Sequence, residues 1–161
     1  MKMKTLAVNA IIAALYVAVS LAVPVLAYGA IQFRLAEMFN HLIIFDKRYF
    51  FGIVAGVFIT NIFSPNGIYD VLFGVGHSVI SLLIVLAVIP LVKKDSHKMI
   101  INTLVFTFTM FIIAYQLVLV LGLPFFLTWL TVAGGELAVL LLGIPIFIAL
   151  NKRLNFSRLL D

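Results

Sequence analysis

Cysteine is absent from this 161-residue chain, and charge is scarce: Asp, Glu, Lys and Arg make up 11% of it, with 11 basic against 6 acidic side chains. Without cysteine there are no disulfides, no thiolate nucleophile and no Cys-based metal site. With so little charge, no polar shell can cover a water-soluble domain, whose surface needs roughly 25–35% Lys, Arg, Glu and Asp. Catalytic signatures are missing as well. The sequence contains no Gly-rich P-loop, no HExxH pair and no GxSxG elbow. His41, His77 and His97 are scattered, without metal-ligand spacing. Neither a catalytic role nor a resident cofactor or metal is therefore expected.

What the chain has in abundance is apolar surface: 65% of it is hydrophobic and the mean hydropathy is +1.25, against about 45–50% apolar in soluble domains. The bilayer is thus its expected solvent. The pI near 9.7 does not point to nucleic acid, because Lys and Arg fall in short clusters between apolar runs rather than along one face.

Six apolar runs lie at about residues 5–27, 33–45, 49–63, 68–92, 99–121 and 125–150. A crossing needs about 20 residues, fewer where a helix is buried among others; the second run is short. The first exceeds the roughly 7–15 residues of a signal-peptide core, so it is expected to be a retained helix. Pro24, the Ser64–Gly67 turn and Leu121–Pro124 punctuate the run ends. The expectation is all-α: one transmembrane domain over residues 1–161, an integral membrane bundle of six helices.

Orientation follows from Lys and Arg, which are retained on the cytoplasmic side. Lys2 and Lys4 precede the first run, Lys47 and Arg48 join the second to the third, Lys93, Lys94 and Lys98 join the fourth to the fifth, and Lys152, Arg153 and Arg158 follow the sixth. Six crossings put all four clusters, and both termini, in the cytoplasm. The opposite connections at 28–32, 64–67 and 121–124 carry no Lys or Arg, and Arg34 is the exception.

Ala10, Ala14, Ala18 and Ala22 form a small-residue stripe that lets another helix backbone approach closely. It serves either packing within the bundle or docking to a separate subunit. The polar residues inside apolar runs are more specific: Arg34, Glu37, Asn40, His41, Asn61, Asp70, His77, Gln116 and Glu136. Each ionised group near the bilayer centre costs about 2.5–3.5 kcal/mol on insertion scales, so such groups face a partner or a cavity. Arg34 and Glu37, three apart, can form a structural ion pair. Asp70 and His77 share a helix face, where a packing hydrogen bond is the plain explanation. Glu136 has no local partner, and Trp129 lies seven residues before it on the same face. Glu37, Asp70 and Glu136 against Arg34 alone leave the interior short of positive charge, which a cationic ligand or protons would supply. Aromatic residues near the run ends, including Tyr28, Phe33, Phe63, Tyr69, Phe73, Tyr115, Phe125, Phe126 and Trp129, can stack on a flat ring. For most of them a membrane-interface belt is the simpler role.

The stretches YGAIQFRLAEMF (residues 28–39) and NIFSPNGIYDVLFG (residues 61–74) resemble the QueT family of S-components of energy-coupling factor (ECF) transporters, and the similarity extends from the alanine stripe to Glu136. The resemblance implies a six-helix S-component fold in the bacterial cytoplasmic membrane. It implies capture of a queuosine precursor, such as 7-aminomethyl- or 7-cyano-7-deazaguanine. It also implies a transmembrane coupling subunit that contacts Ala10, Ala14, Ala18 and Ala22, with two ATPase subunits to drive transport. A guanine-like edge presents adjacent N–H donors that a carboxylate accepts in pairs, and a second carboxylate can neutralise an aminomethyl ammonium. The expected ligand set is Arg34, Glu37, Asn61, Asp70, His77, Trp129 and Glu136. In it Glu136 and Asp70 meet the ligand directly, Arg34 or Asn61 addresses the ring carbonyl, and Glu37 is held by Arg34. Three other readings stand beside it: an S-component for another vitamin-like substrate; a proton-coupled secondary transporter of a small aromatic amine, working through Glu37, Asp70, His77 and Glu136; and a membrane enzyme acting on lipid, which lacks a recognisable catalytic cluster.

Overall fold

The computed structural model describes residues 2–22 and 33–161, all of whose regular structure is helical. Helices dominate because hydrocarbon offers no partner for backbone N–H and C=O groups, so each segment must satisfy its own. In chain order the elements are α1 (Met3–Ala22), a 3-10 helix (Leu35–Ile44), a 3-10 turn (Lys47–Tyr49), α2 (Phe50–Ile62), α3 (Ile68–Val88) continued by a 3-10 turn (Ile89–Leu91), α4 (Asp95–Thr109), α5 (Phe111–Leu121), α6 (Phe125–Leu154) and α7 (Phe156–Leu159). Pro24 and the first outer connection at 28–32 lie outside the described residues.

Four stretches are long and apolar enough to cross a membrane: Met3–Ala22, Ile68–Leu91, Asp95–Leu121 and Phe125–Leu154. The second apolar run differs from expectation. It winds as a ten-residue 3-10 helix, which at about 2.0 Å per residue reaches roughly 20 Å and falls short of a hydrocarbon core of about 30 Å. The fifth run is interrupted. Thr109 Oγ1 donates towards the carbonyls of Val105 (2.9 Å) and Phe106 (3.1 Å), a side-chain competition that bends helices, and α4 gives way to α5 at Met110. Gly122, at φ 67°, caps α5 in the left-handed region that glycine adopts without strain. Pro124 then leads into α6.

The molecule is polar inside and apolar outside. Asn9, Tyr16 and Ser20 of α1 are buried while Leu6, Ile11 and Leu15 are exposed. Ala10, Ala14, Ala18 and Ala22 are all on the exposed side. The close approach within the bundle belongs instead to α2. Gly52 N donates to Asn9 Oδ1 at 2.8 Å. A Cβ at Gly52 would meet that oxygen at 2.6 Å, and one at Gly56 would meet Tyr16 Cβ at 2.7 Å. Two glycines four residues apart thus seat α1 on α2.

One end of the bundle gathers the basic connections. Lys4 Nζ donates to the Arg158 carbonyl, Thr5 Oγ1 and Arg48 Nη1 donate to the Leu160 carbonyl, and Arg48 pairs with Asp46 (2.8 Å) and Asp161 (2.7 Å). Residues 43–48 share a groove with Ile89 and Pro90, which brings the end of α3 to the same place. The Arg48 guanidinium, hydrogen-bonded to Asp46, holds that carboxyl below its usual range, and the two carboxylates raise the Arg48 pKa in return.

Candidate functional site

The core of the bundle holds a polar chain rather than a continuous apolar one. Its centre is built by α1, the 3-10 helix and α6. The inward face of α1 brings Tyr16, 2% exposed, to Glu37: the phenol donates to Glu37 Oε1 at 2.8 Å. Asn40 Nδ2 donates to Glu37 Oε2 at 2.5 Å, an i,i+3 pair that the threefold winding of a 3-10 helix sets one above the other. Glu37 thus accepts hydrogen bonds from Tyr16 and Asn40. Arg34 is buried as well, and Tyr16, Arg34, Glu37 and Glu136 lie within electrostatic reach of one another, with His77 in reach of Arg34.

Glu136 differs from Glu37. It is 1% exposed, and its Oε1 has no hydrogen-bond donor among the described residues. α6 delivers it one turn after Val132, which packs with Ile113, Ala114 and Leu117 of α5.

A second group lies between α2, α3 and α5. Asp70, fully buried, accepts from Ser64 Oγ, from Asn66 Nδ2 at 3.1 Å and from Gln116 Nε2. Ser64 and Asn66 belong to the turn before α3, so the SPNG sequence supplies the Asp70 cap locally, whereas Gln116 arrives from across the bundle. Asn61 lies against Gly74, where a Cβ would meet its Nδ2 at 2.5 Å. Both polar atoms of the Asn61 side chain are buried without a partner among the described residues.

Further along α3, His77 Nε2 faces Thr109 Oγ1 at 3.1 Å, and Thr109 also bonds Ser81 at 2.6 Å. His41 is held between the Leu140 carbonyl (2.9 Å) and Asn102 (3.2 Å). These are internal polar contacts tying α3 and the 3-10 helix to α4 and α6. Trp129 lies beside the break between α4 and α5. Its indole N–H donates to the Phe108 carbonyl at 3.2 Å, and its ring packs with Phe108, Phe111 and Phe125. Among the described residues no group of three or more His, Asp or Glu side chains is placed to hold a metal ion.

Of the residues expected from sequence, then, Arg34, Glu37 and Glu136 converge with His77 at the edge. Asp70 and Asn61 form a neighbouring group, and Trp129 belongs to the aromatic cluster at the α4–α5 break. Sequence reasoning passed over Tyr16. Its signal was the spacing Asn9, Ile12, Tyr16, Ser20, which repeats on the face opposite the alanine stripe.

The model of the family described as QueT transporter matches residues 6–152. The chain belongs to the QueT transporter family. A QueT relative, the queuosine precursor transporter of Lactococcus lactis subsp. cremoris, is 34% identical over 158 residues, covering 92% of this chain and 93% of the relative. No solved structure matches the chain. QueT proteins are transporters rather than enzymes. Four long apolar helices with an inverted polar interior agree with a multi-pass membrane protein of that family.

Proposed function

We propose that this chain is the membrane-embedded substrate-capture subunit of an ATP-driven ECF-type importer, and that its ligand is a 7-deazaguanine precursor of queuosine, carrying a 7-aminomethyl or 7-cyano group. The observation that carries the reading is Glu136: a buried carboxylate oxygen without a donor among the described residues, close to a second carboxylate and a guanidinium. A buried acceptor left unsatisfied costs about 1–3 kcal/mol, more when charged, and a ligand that brings N–H donors recovers it. A guanine-like edge brings two such donors side by side. The name of the Lactococcus relative supports the substrate class.

In this reading Arg34, Glu37, Asn61, Asp70, His77, Trp129 and Glu136 surround or support the ligand. The chain crosses the bacterial cytoplasmic membrane six times with both termini inside, the short 3-10 helix forming part of the second crossing and packed by α1, α4 and α6. The exposed stripe Ala10, Ala14, Ala18 and Ala22 meets a transmembrane coupling subunit, which two ATPase subunits drive.

The test is thermal unfolding of the purified chain in detergent with 7-aminomethyl-7-deazaguanine, 7-cyano-7-deazaguanine, guanine, riboflavin and thiamine. A ligand at 100 times its dissociation constant stabilises by about 2.7 kcal/mol. The expected outcome is a shift with a deazaguanine and none with riboflavin or thiamine. No shift with either deazaguanine overturns the substrate assignment. Uptake by the lone chain in proteoliposomes under a proton gradient overturns the ATP-driven assignment.

A further inference from the structure

One acceptor in the interior is oriented by its neighbours yet satisfied by none of them. Gln116 is fully buried on α5. Its Nε2 donates to Asp70 Oδ1, and because an ionised carboxylate only accepts, that bond fixes which end of the amide faces Asp70. Oε1 is thereby turned away from Asp70, buried and without a donor among the described residues. Both Asp70 oxygens already accept, with Ser64 and Asn66 on Oδ2 and Gln116 on Oδ1. The carboxylate expected to meet a ligand directly is thus occupied on both oxygens. Its charge is passed on through the amide dipole, and an acceptor polarised from behind by a carboxylate is matched to a cationic N–H donor.

Gln116 is also in the right neighbourhood. Ile113, Ala114 and Leu117, around it on α5, pack against Val132, one helical turn before Glu136. Gly74, one turn beyond Asp70, admits the unpartnered amide of Asn61. Unsatisfied polar atoms of Asn61 and Gln116 thus stand on either side of Asp70, on α2 and α5, and the α5 segment that carries Gln116 packs on the α6 segment that carries Glu136.

We propose that Gln116 Oε1 accepts a hydrogen bond from the ammonium of an aminomethyl-bearing ligand, and that Asp70 is the positioning residue that sets and polarises this amide. The inference rests on the reading that the chain captures a 7-deazaguanine. It moves the ammonium contact from Asp70 to Gln116.

The experiment compares two ligands, 7-aminomethyl-7-deazaguanine and 7-methyl-7-deazaguanine, by calorimetry on the full chain in detergent. The wild type is expected to favour the amine at least about tenfold, as a charge-assisted hydrogen bond does. Gln116→Met is expected to bring that ratio within about twofold, because the amine contact is lost for one ligand only, whereas loss of the Asp70 bond affects both ligands alike and cancels from the ratio. Asp70→Asn, which frees the amide to rotate, is expected to lower the ratio at least about threefold. Both ligands are measured on one preparation, so loss of folded protein cancels from the ratio. If Gln116→Met yields no folded protein, Asp70→Asn alone decides. An unchanged ratio in the variant that decides overturns the assignment, as does a wild type that binds both ligands equally, and in either case deazaguanine capture stands. Binding of neither ligand by the wild type overturns the capture reading and this inference together.

Discussion

Glu37 and Glu136 are both buried carboxylates, yet one is supplied with a phenol and an amide donor while the other has an oxygen with no donor among the described residues. Their variants should separate accordingly. Tyr16→Phe removes a donor from Glu37 and is expected to destabilise the ligand-free protein by about 1–3 kcal/mol, read as a lower unfolding temperature. Glu136→Gln is expected to leave that temperature nearly unchanged and to weaken deazaguanine binding by about 10- to 100-fold, the worth of a charged hydrogen bond, measured by calorimetry. Arg34, Glu37 and Glu136 were legible in the sequence because ionisable residues in apolar runs are rare and expensive. Tyr16 and the role of Gln116 were not. Their partners are 21 and 46 positions away, beyond the reach of any local spacing. At the basic end, Asp46 titrates below its usual range because Arg48 bonds its ionised form. A lowered folded-state pKa adds stability above the unfolded value near 4, lost as pH falls through the folded value. Unfolding temperatures recorded from pH 7 down to pH 3 should therefore fall less steeply in Asp46→Asn than in the wild type.

Helices themselves show where pattern reading stops. Hydropathy located the runs that became α1, α3 and α6, because length and composition decide whether a segment can span. It could not distinguish 3-10 from α winding in residues 35–44, since both bury the same apolar residues. Nor could it see the interruption at Met110, where the Thr109 hydroxyl bonds back to its own helix. The alanine stripe left open packing within the bundle or docking to a separate subunit; within the bundle the close approach belongs to Gly52 and Gly56, and the alanines face outward. The α1–α2 contact is correspondingly intolerant. Gly52→Ala places a methyl 2.8 Å from the Asn9 carbonyl oxygen and is expected to cost about 1–3 kcal/mol. Ala14→Gly, on the exposed face, should cost less than half of that in the isolated chain. Parallel melts of the two variants check the ordering.

On the scale of the whole chain, charge distribution alone foretold that four basic clusters belong together, and the contacts among Lys4, Arg48, Pro90, Arg158 and Leu160 gather those segments at one end. Which end faces the cytoplasm is testable with unusual ease, because a cysteine-free chain reports only the cysteine put into it. Lys94→Cys is expected to be protected from a membrane-impermeant maleimide in intact cells and Pro65→Cys to be labelled, and the reverse pattern would invert the topology. Trp129 carries a further consequence. It is the one tryptophan in the sequence, and its indole is anchored on the Phe108 carbonyl beside the discontinuity between α4 and α5. Native emission from this protein is therefore a single-site optical gauge, needing no dye: a guest stacked on the ring would quench it, whereas one held at Glu136 alone would leave its wavelength where it was.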